Sequence, residues 1–261
     1  MFSLLTAAEP ITVKEYWNLA YWLTDRFSMG ENASATVILV SALLCIVIPY
    51  LIGSINPAIL ISTLIYHDDI RTHGSGNAGS TNMLRTFGGK AAIATLLSDF
   101  GKAAIATLLG RLLFGVWGQA LAGLFVGFGH MFPIYYKLKG GKGVACFGIV
   151  ALVINPVAFL IILFTFLVVA IGTRFVSLAS VMAAIIYPMA FHWGAIFTQT
   201  ELTNGPNMLM AFIAACLVVF MHRENLKRIW NNQESKLDFS KFKKKKKVED
   251  ENGKPPTGDD V

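Results

Sequence analysis

Charge is scarce in this chain: only 15% of its 261 residues are Asp, Glu, Lys or Arg. That is too few to solvate an ordinary folded surface, which argues against a soluble globule. Cysteine is scarce too. Cys45, Cys146 and Cys216 sit inside apolar runs without Cys-x-x-Cys spacing, so they read as small hydrophobes, not as disulfides or metal ligands. The N-terminus lacks a basic n-region and an Ala-x-Ala site, and no cleavable signal peptide is expected. No His-Glu-x-x-His, no plausibly spaced Ser-His-Asp set and no carboxylate pair at the polar loops is present, which excludes the common hydrolases. No metal and no cofactor is expected. Much of the net charge of +6 comes from the tail beyond His222. With no soluble surface left to carry a basic patch, nucleic acid is not an expected partner.

What the chain has instead is apolar length. Hydrophobic residues make up 54%, and mean hydropathy is +0.57. Runs at 36–66, 90–115, 117–136, 143–171, 175–192 and 207–221 are nearly free of charge. Gly53-Ser54-Ile55-Asn56-Pro57 interrupts the first run and predicts a kinked helix there, because proline removes a backbone donor. The run 143–171 is 29 residues, longer than the roughly 20 that cross a bilayer, and Asn155-Pro156 splits it into two helices. Asp99 and Lys102 share a helix face at i, i+3 and can neutralise one another in lipid.

Seven crossings follow if 143–171 is split, and six if it is not. The loops 67–90 and 137–142, Arg174 and the tail from Arg223 through the five-lysine run 243–247 carry cations, whereas 193–206 has no Lys or Arg. Seven crossings put all those cations on the cytoplasmic side, with the N-terminus out and the C-terminus in. The expected fold is therefore an all-α polytopic membrane protein. Residues 1–35 read as an extension with an interfacial helix, 36–230 as the membrane domain, and 231–261 as a charged, disordered cytoplasmic tail.

The polar clusters all fall on that cytoplasmic face. Gly74-Ser75-Gly76-Asn77-Ala78-Gly79-Ser80-Thr81-Asn82, followed by Arg85, combines glycines that admit an anion closely with hydroxyls, amides and a bidentate fork. Its Gly-x-Gly-x-x-Gly spacing lacks the preceding strand a dinucleotide fold requires. A second cluster, Gly129-His130-Met131-Phe132-Pro133, leads to Lys137-Leu138-Lys139-Gly140-Gly141-Lys142-Gly143. Lys142, hemmed in by glycines at a helix start, suits a phosphate, whereas Lys137 and Lys139 fit topology anchoring. His130 reads better as packing. Arg174-Phe175-Val176-Ser177 and His222-Arg223-Glu224-Asn225 follow, the latter pair placing His222 and Asn225 on one face. The face offers cations, amides and hydroxyls with almost no general base, which suits a site for two phosphates.

The motifs GSGNAGSTNMLRTFGG, GHMFPIYYKLKGGKGVA, RFVSLAS and HREN, in this order, resemble those of the PlsY family, the bacterial acyl-phosphate:glycerol-3-phosphate acyltransferases, over about residues 50–235. The resemblance implies a seven-helix cell-membrane enzyme that acylates the 1-hydroxyl of glycerol 3-phosphate to lysophosphatidic acid, the first committed intermediate of phospholipid synthesis. It implies that Gly74, Ser75, Gly76, Asn77, Gly79, Thr81 and Asn82 hold acyl phosphate, and that Arg85, Lys142, His222 and Asn225 grip glycerol 3-phosphate. Ser177 would line the same site. The soluble enzyme that makes acyl phosphate becomes an expected partner. The N-terminal extension, the tail and Asn56-Pro57 depart from the family pattern. A transporter of a phosphorylated molecule is the alternative, although transporter sites sit at the midplane and these motifs lie at one face. A membrane adaptor would leave the Gly-rich loop unexplained.

Overall fold

The computed structural model describes residues 18–199 and 205–237, and among them every regular element is helical. Asn18 caps α1 (Leu19–Arg26) by accepting from the Tyr21 amide at 3.2 Å. This is the described part of the N-terminal extension, with Trp22 and Phe27 exposed. The first long helix, α2 (Glu31–Ser54), starts five residues before the expected boundary at 36. Its continuation α3 (Pro57–Ile65) begins afresh: Ile55 and Asn56 are extended, and Asn56 Oδ1 accepts from the Ile59 amide at 3.2 Å. Proline at the first helical position fits that restart. The expected kink is thus a break with its own cap.

A short helix, α4 (Ser80–Phe87), leads into α5 (Gly89–Met131), whose 43 residues are not one rod. Phe114 and Gly115 leave helical geometry, at φ −144°, ψ 28° and φ 58°, ψ −138°. A Cβ on Gly110 would collide with the Gly118 carbonyl, and one on Gly118 with that of Gly110. Residues eight apart in a straight helix lie about 12 Å apart along its axis, so this contact requires the chain to reverse. The two arms match the runs expected at 90–115 and 117–136. Small residues at the crossing let the backbones meet, as close helix packing in lipid requires.

Beyond a turn at Ile134–Tyr136 come α6 (Val144–Ile154) and α7 (Pro156–Thr173), divided where Asn155-Pro156 predicts. Asn155 Oδ1 accepts from the Ala158 amide at 3.0 Å and starts α7. The remaining helices are α8 (Val176–Thr198), α9 (Gly205–Met221) and α10 (Arg223–Trp230). Four helical stretches among the described residues are long and apolar enough to cross a membrane, or five if the bent α9–α10 pair is one span. At 11 residues, α6 falls short of that length.

The main core joins α5 to α9 around Val126, Val150, Tyr187 and Phe191, all buried. Outside it, Leu39, Phe164, Ile171 and Phe197 stay exposed, an apolar coat suited to lipid rather than water. A smaller cluster of Ala58, Ile59, Ile70, Ala78, Met83 and Leu84 forms a pad beneath the Gly-rich loop. Residues 231–237, expected to begin a disordered tail, instead run back over the bundle: the Leu237 amide donates to Arg174 O at 2.7 Å, and its side chain reaches that pad. The rest of the tail, 238–261, lies outside the described residues, as do 1–17.

Candidate active site

Contacts between distant loops gather at one end of the bundle. Arg71 Nη1 donates to Tyr136 O at 3.2 Å, Asn56 Nδ2 to Ala78 O at 3.4 Å, and Arg85 Nη2 to Ser235 O at 3.2 Å. The Gly-rich loop therefore meets both the lysine loop and the segment after α10 at this end.

The Gly-rich loop is shaped from within. Asn82 Oδ1 accepts from the Ser75 amide at 3.0 Å, while its Nδ2 donates to Ile70 O and His73 O at 3.1 and 2.9 Å. Asn82 is buried and its amide group is fully used by the loop, so it builds the loop rather than facing a ligand. Gly74 is required by both conformation and space: its φ is +55°, and a Cβ there would strike Asn82 Oδ1. The amides of Ser75, Gly76 and Gly79 are bonded inside the loop, the last two to His73 O and Asn77 O. These three N–H groups are therefore not free to form an anion nest. The Ser75 side chain is left at the surface, and Ser80 and Thr81 open α4, whose last turn carries Arg85.

Opposite lies the lysine loop. The Gly140 amide donates to Met131 O and the Gly141 amide to His130 O at 3.2 and 3.0 Å, folding the loop onto the end of α5. Lys137 and Leu138 both take left-handed backbones. Between the two loops lies a depression of about 440 Å³ lined by Arg71, Gly76, Lys137, Lys139 and Gly140. Bidentate pairing with Asp69, 2.7 Å at the closest, and the bond to Tyr136 O fix Arg71 in its wall.

Lys142 points the other way and donates to Asn225 Oδ1. Burial pushes its ammonium down to about 8, opposed by Glu234 and aided by Arg228 and Arg85. Asn225 Nδ2 in turn donates to Glu234 Oε1 at 2.7 Å, Ser177 Oγ to the same oxygen at 2.8 Å, and Arg228 Nε to Oε2 at 2.8 Å. Burial works against the Glu234 charge, but these hydrogen bonds hold its carboxyl below the usual glutamate range. His222 is buried at the start of α10 with Nδ1 2.8 Å from Val218 O. A carbonyl can only accept, so Nδ1 carries the proton and Nε2 is left for other work. Among the described residues, Lys142 and Arg228 stand around one carboxylate, Glu234, with Arg85 held nearby at Ser235 O.

Glu234 and Arg228 escaped the sequence reading. Arg228 shares a helix face with Asn225 at i, i+3, a signal that was available. Glu234 was not findable that way, because its partners come from three separate segments. A folded membrane bundle with an oxyanion-binding face is the class these features define.

Comparison with known proteins agrees. Residues 43–232 match the family model described as glycerol-3-phosphate acyltransferase. The glycerol-3-phosphate acyltransferase of Finegoldia magna is 39% identical over 73% of this chain and 93% of its own. That of Paraburkholderia phytofirmans is 36% identical over 84% and 99%. A crystal structure of PlsY, an integral membrane glycerol 3-phosphate acyltransferase in its glycerol 3-phosphate form, superposes with a TM-score of 0.68 at 33% identity, covering 76% of this chain and 96% of that one. The lysophosphatidic acid form gives 0.66 at 31% identity, covering 77% and 98%. The chain belongs to the glycerol-3-phosphate acyltransferase family, the integral membrane PlsY enzymes of phospholipid synthesis.

Proposed function

We propose that the protein transfers a fatty acyl group from acyl phosphate to the 1-hydroxyl of glycerol 3-phosphate, releasing lysophosphatidic acid and phosphate. The observation that carries this reading is the Glu234 carboxylate itself. It is an oxyanion held by Ser177, Asn225 and Arg228 within 2.8 Å beside Lys142, which supports an anion-binding role for that end. Acyl phosphate is already an activated mixed anhydride. Positioning and charge neutralisation can therefore supply most of the rate enhancement.

In this reading the phosphate of glycerol 3-phosphate takes the place of the Glu234 carboxylate against Ser177 and Asn225, with Arg85, Lys142 and His222 around it. Ser75, Thr81 and the loop from Gly74 to Gly79 face the donor. The hydroxyl oxygen attacks the acyl carbonyl, the bond from that carbon to the phosphate oxygen breaks, and the leaving phosphate takes the hydroxyl proton. No side chain needs to act as general base, and Ser75 is a phosphate ligand rather than a nucleophile.

The topology we infer is seven crossings with the N-terminus outside and the site at the cytoplasmic face of a bacterial cell membrane. The motif loops support it: between them the chain leaves the site end and returns three times, through the two arms of α5, through α6 and α7, and through α8 and α9. With α2 and α3 arriving from the other side, the count is seven, and the positive-inside rule sets the orientation. The soluble producer of acyl phosphate is the proposed partner.

Incubating the purified protein with palmitoyl phosphate and glycerol 3-phosphate tests the scheme. Lysophosphatidic acid and phosphate should appear in equal amounts, and protein quenched during turnover should carry no acyl group on Ser75. Absence of product, or an acyl-Ser75 adduct by mass spectrometry, contradicts it.

A further inference from the structure

Asp99, Lys102 and His130 form a polar cluster inside the bundle that the proposed chemistry does not use. Lys102 Nζ lies 2.8 Å from Asp99 Oδ1, 3.0 Å from His130 Nδ1, 2.7 Å from Ile55 O and 3.2 Å from Gly53 O. The three side chains belong to residues exposed by only 1, 9 and 3%. Charges placed so deep between apolar helices are costly to desolvate, and such groups in membrane proteins mark positions with a task. A metal is one candidate task, since ligand atoms of Asp99, His130 and Cys146 lie within 4.8 Å of one another. The Lys102 ammonium already stands against the carboxylate oxygen a metal would take. The cluster contains its own cation.

Its contacts point to the loops above. Lys102 gathers the carbonyls at the break between α2 and α3, from which Asn56 reaches Ala78 O in the Gly-rich loop. The carbonyl of His130 accepts from the Gly141 amide, and a Cβ on Gly141 would collide with His130 Nε2 and press on Ala78 O. Gly141 is thus wedged between the His130 ring and the Gly-rich loop, one residue before Lys142.

We propose that His130, braced by Lys102 and Asp99, is a positioning residue for Lys142. The edge of its ring sets how deep the Gly140–Gly143 segment sits, and so where the Lys142 ammonium stands to meet the acceptor's phosphate. This rests on the assignment of Lys142 to glycerol 3-phosphate.

His130→Asn separates positioning from folding. Asparagine keeps a polar atom near Nδ1 for Lys102, so the bundle stays intact, but it lacks the Nε2 edge beneath Gly141. Direct binding of glycerol 3-phosphate to the purified variant should weaken about tenfold, while KM for palmitoyl phosphate stays within about twofold. Gly141→Ala should weaken binding in the natural background and cost much less beside His130→Asn, because the ring edge it strikes is gone. Unchanged affinity in His130→Asn, strictly additive effects, or equal losses for both substrates would each overturn the positioning role. Failure of the unaltered protein to bind glycerol 3-phosphate would instead overturn the reading of Lys142.

Discussion

At the end of the bundle away from the lysine loop, Arg111 Nη1 donates to Gln119 Oε1 at 2.7 Å, and Gln119 Nε2 to Asn207 Oδ1 at 3.1 Å. Asn155 starts α7 there and reaches Thr198 Oγ1 at 3.3 Å. Each buried amide meets a complementary group, and these contacts tie one helix to the next. The opposite end concentrates charge as well as amides. Among the described residues, Lys142 and Arg228 stand around a single carboxylate, Glu234, and burial depresses the Lys142 ammonium. Amide pairs hold helices together in lipid, whereas a partly buried charge cluster costs stability and suits a charged ligand.

That contrast can be broken by substitution, and the largest effect should come from Lys142→Ala. Removing the half-buried charge proposed to receive the acceptor's phosphate should raise KM for glycerol 3-phosphate about a hundredfold, roughly 2.7 kcal/mol. Steady-state kinetics in nanodiscs would read it, and a change confined to the donor would contradict the assignment. Arg85→Lys keeps the charge but loses the planar fork, so catalytic efficiency should fall about tenfold, roughly 1.4 kcal/mol.

The pH dependence sharpens the same point. Free Lys142 loses its proton near 8, and a bound phosphate dianion raises that value. The lysine's contribution to affinity is therefore full below about 8 and is lost as pH rises through the higher bound value. Isothermal titration of glycerol 3-phosphate between pH 7 and 10 should show this decline, and Lys142→Ala should flatten it. At the amide-paired end, Gln119→Ala should cost about 1–3 kcal/mol of stability, because Arg111 and Asn207 lose their shared partner. Thermal unfolding should register that loss with KM unchanged. The smallest effect belongs to Lys137→Ala and Lys139→Ala. Both lysines are exposed, and neither side chain has a hydrogen-bond or ion-pair partner among the described residues. KM should stay within about twofold, as expected of topology anchors.

The helix breaks were legible because proline writes them locally: Asn56-Pro57 and Asn155-Pro156 each give an asparagine cap followed by proline. The reversal at Phe114-Gly115 was legible as a gap between two apolar runs. The convergence of Arg85, Lys142, Ser177, His222 and Asn225 on one face followed from motif placement and charge asymmetry. What did not follow was which amides were already engaged. Asn82 and the Ser75, Gly76 and Gly79 N–H groups close the loop on itself, and the sequence pattern cannot distinguish a donor spent inside a loop from one offered to a ligand. Glu234 was missed for a related reason. A polar segment without periodicity carries no local signal, and residues 231–237 are placed by contacts with residues distant in sequence, Arg85, Arg174 and Ser177, and with Asn225 and Arg228 on α10.

Donor choice tests the account most directly. The Gly-rich loop and the cation-lined face suit a phosphate with its acyl tail in the bilayer. Purified protein in nanodiscs, given glycerol 3-phosphate and either palmitoyl phosphate or palmitoyl-CoA, should make lysophosphatidic acid from the first and none from the second, with no change on adding EDTA. Robust turnover of palmitoyl-CoA, or loss of activity in EDTA, would contradict it.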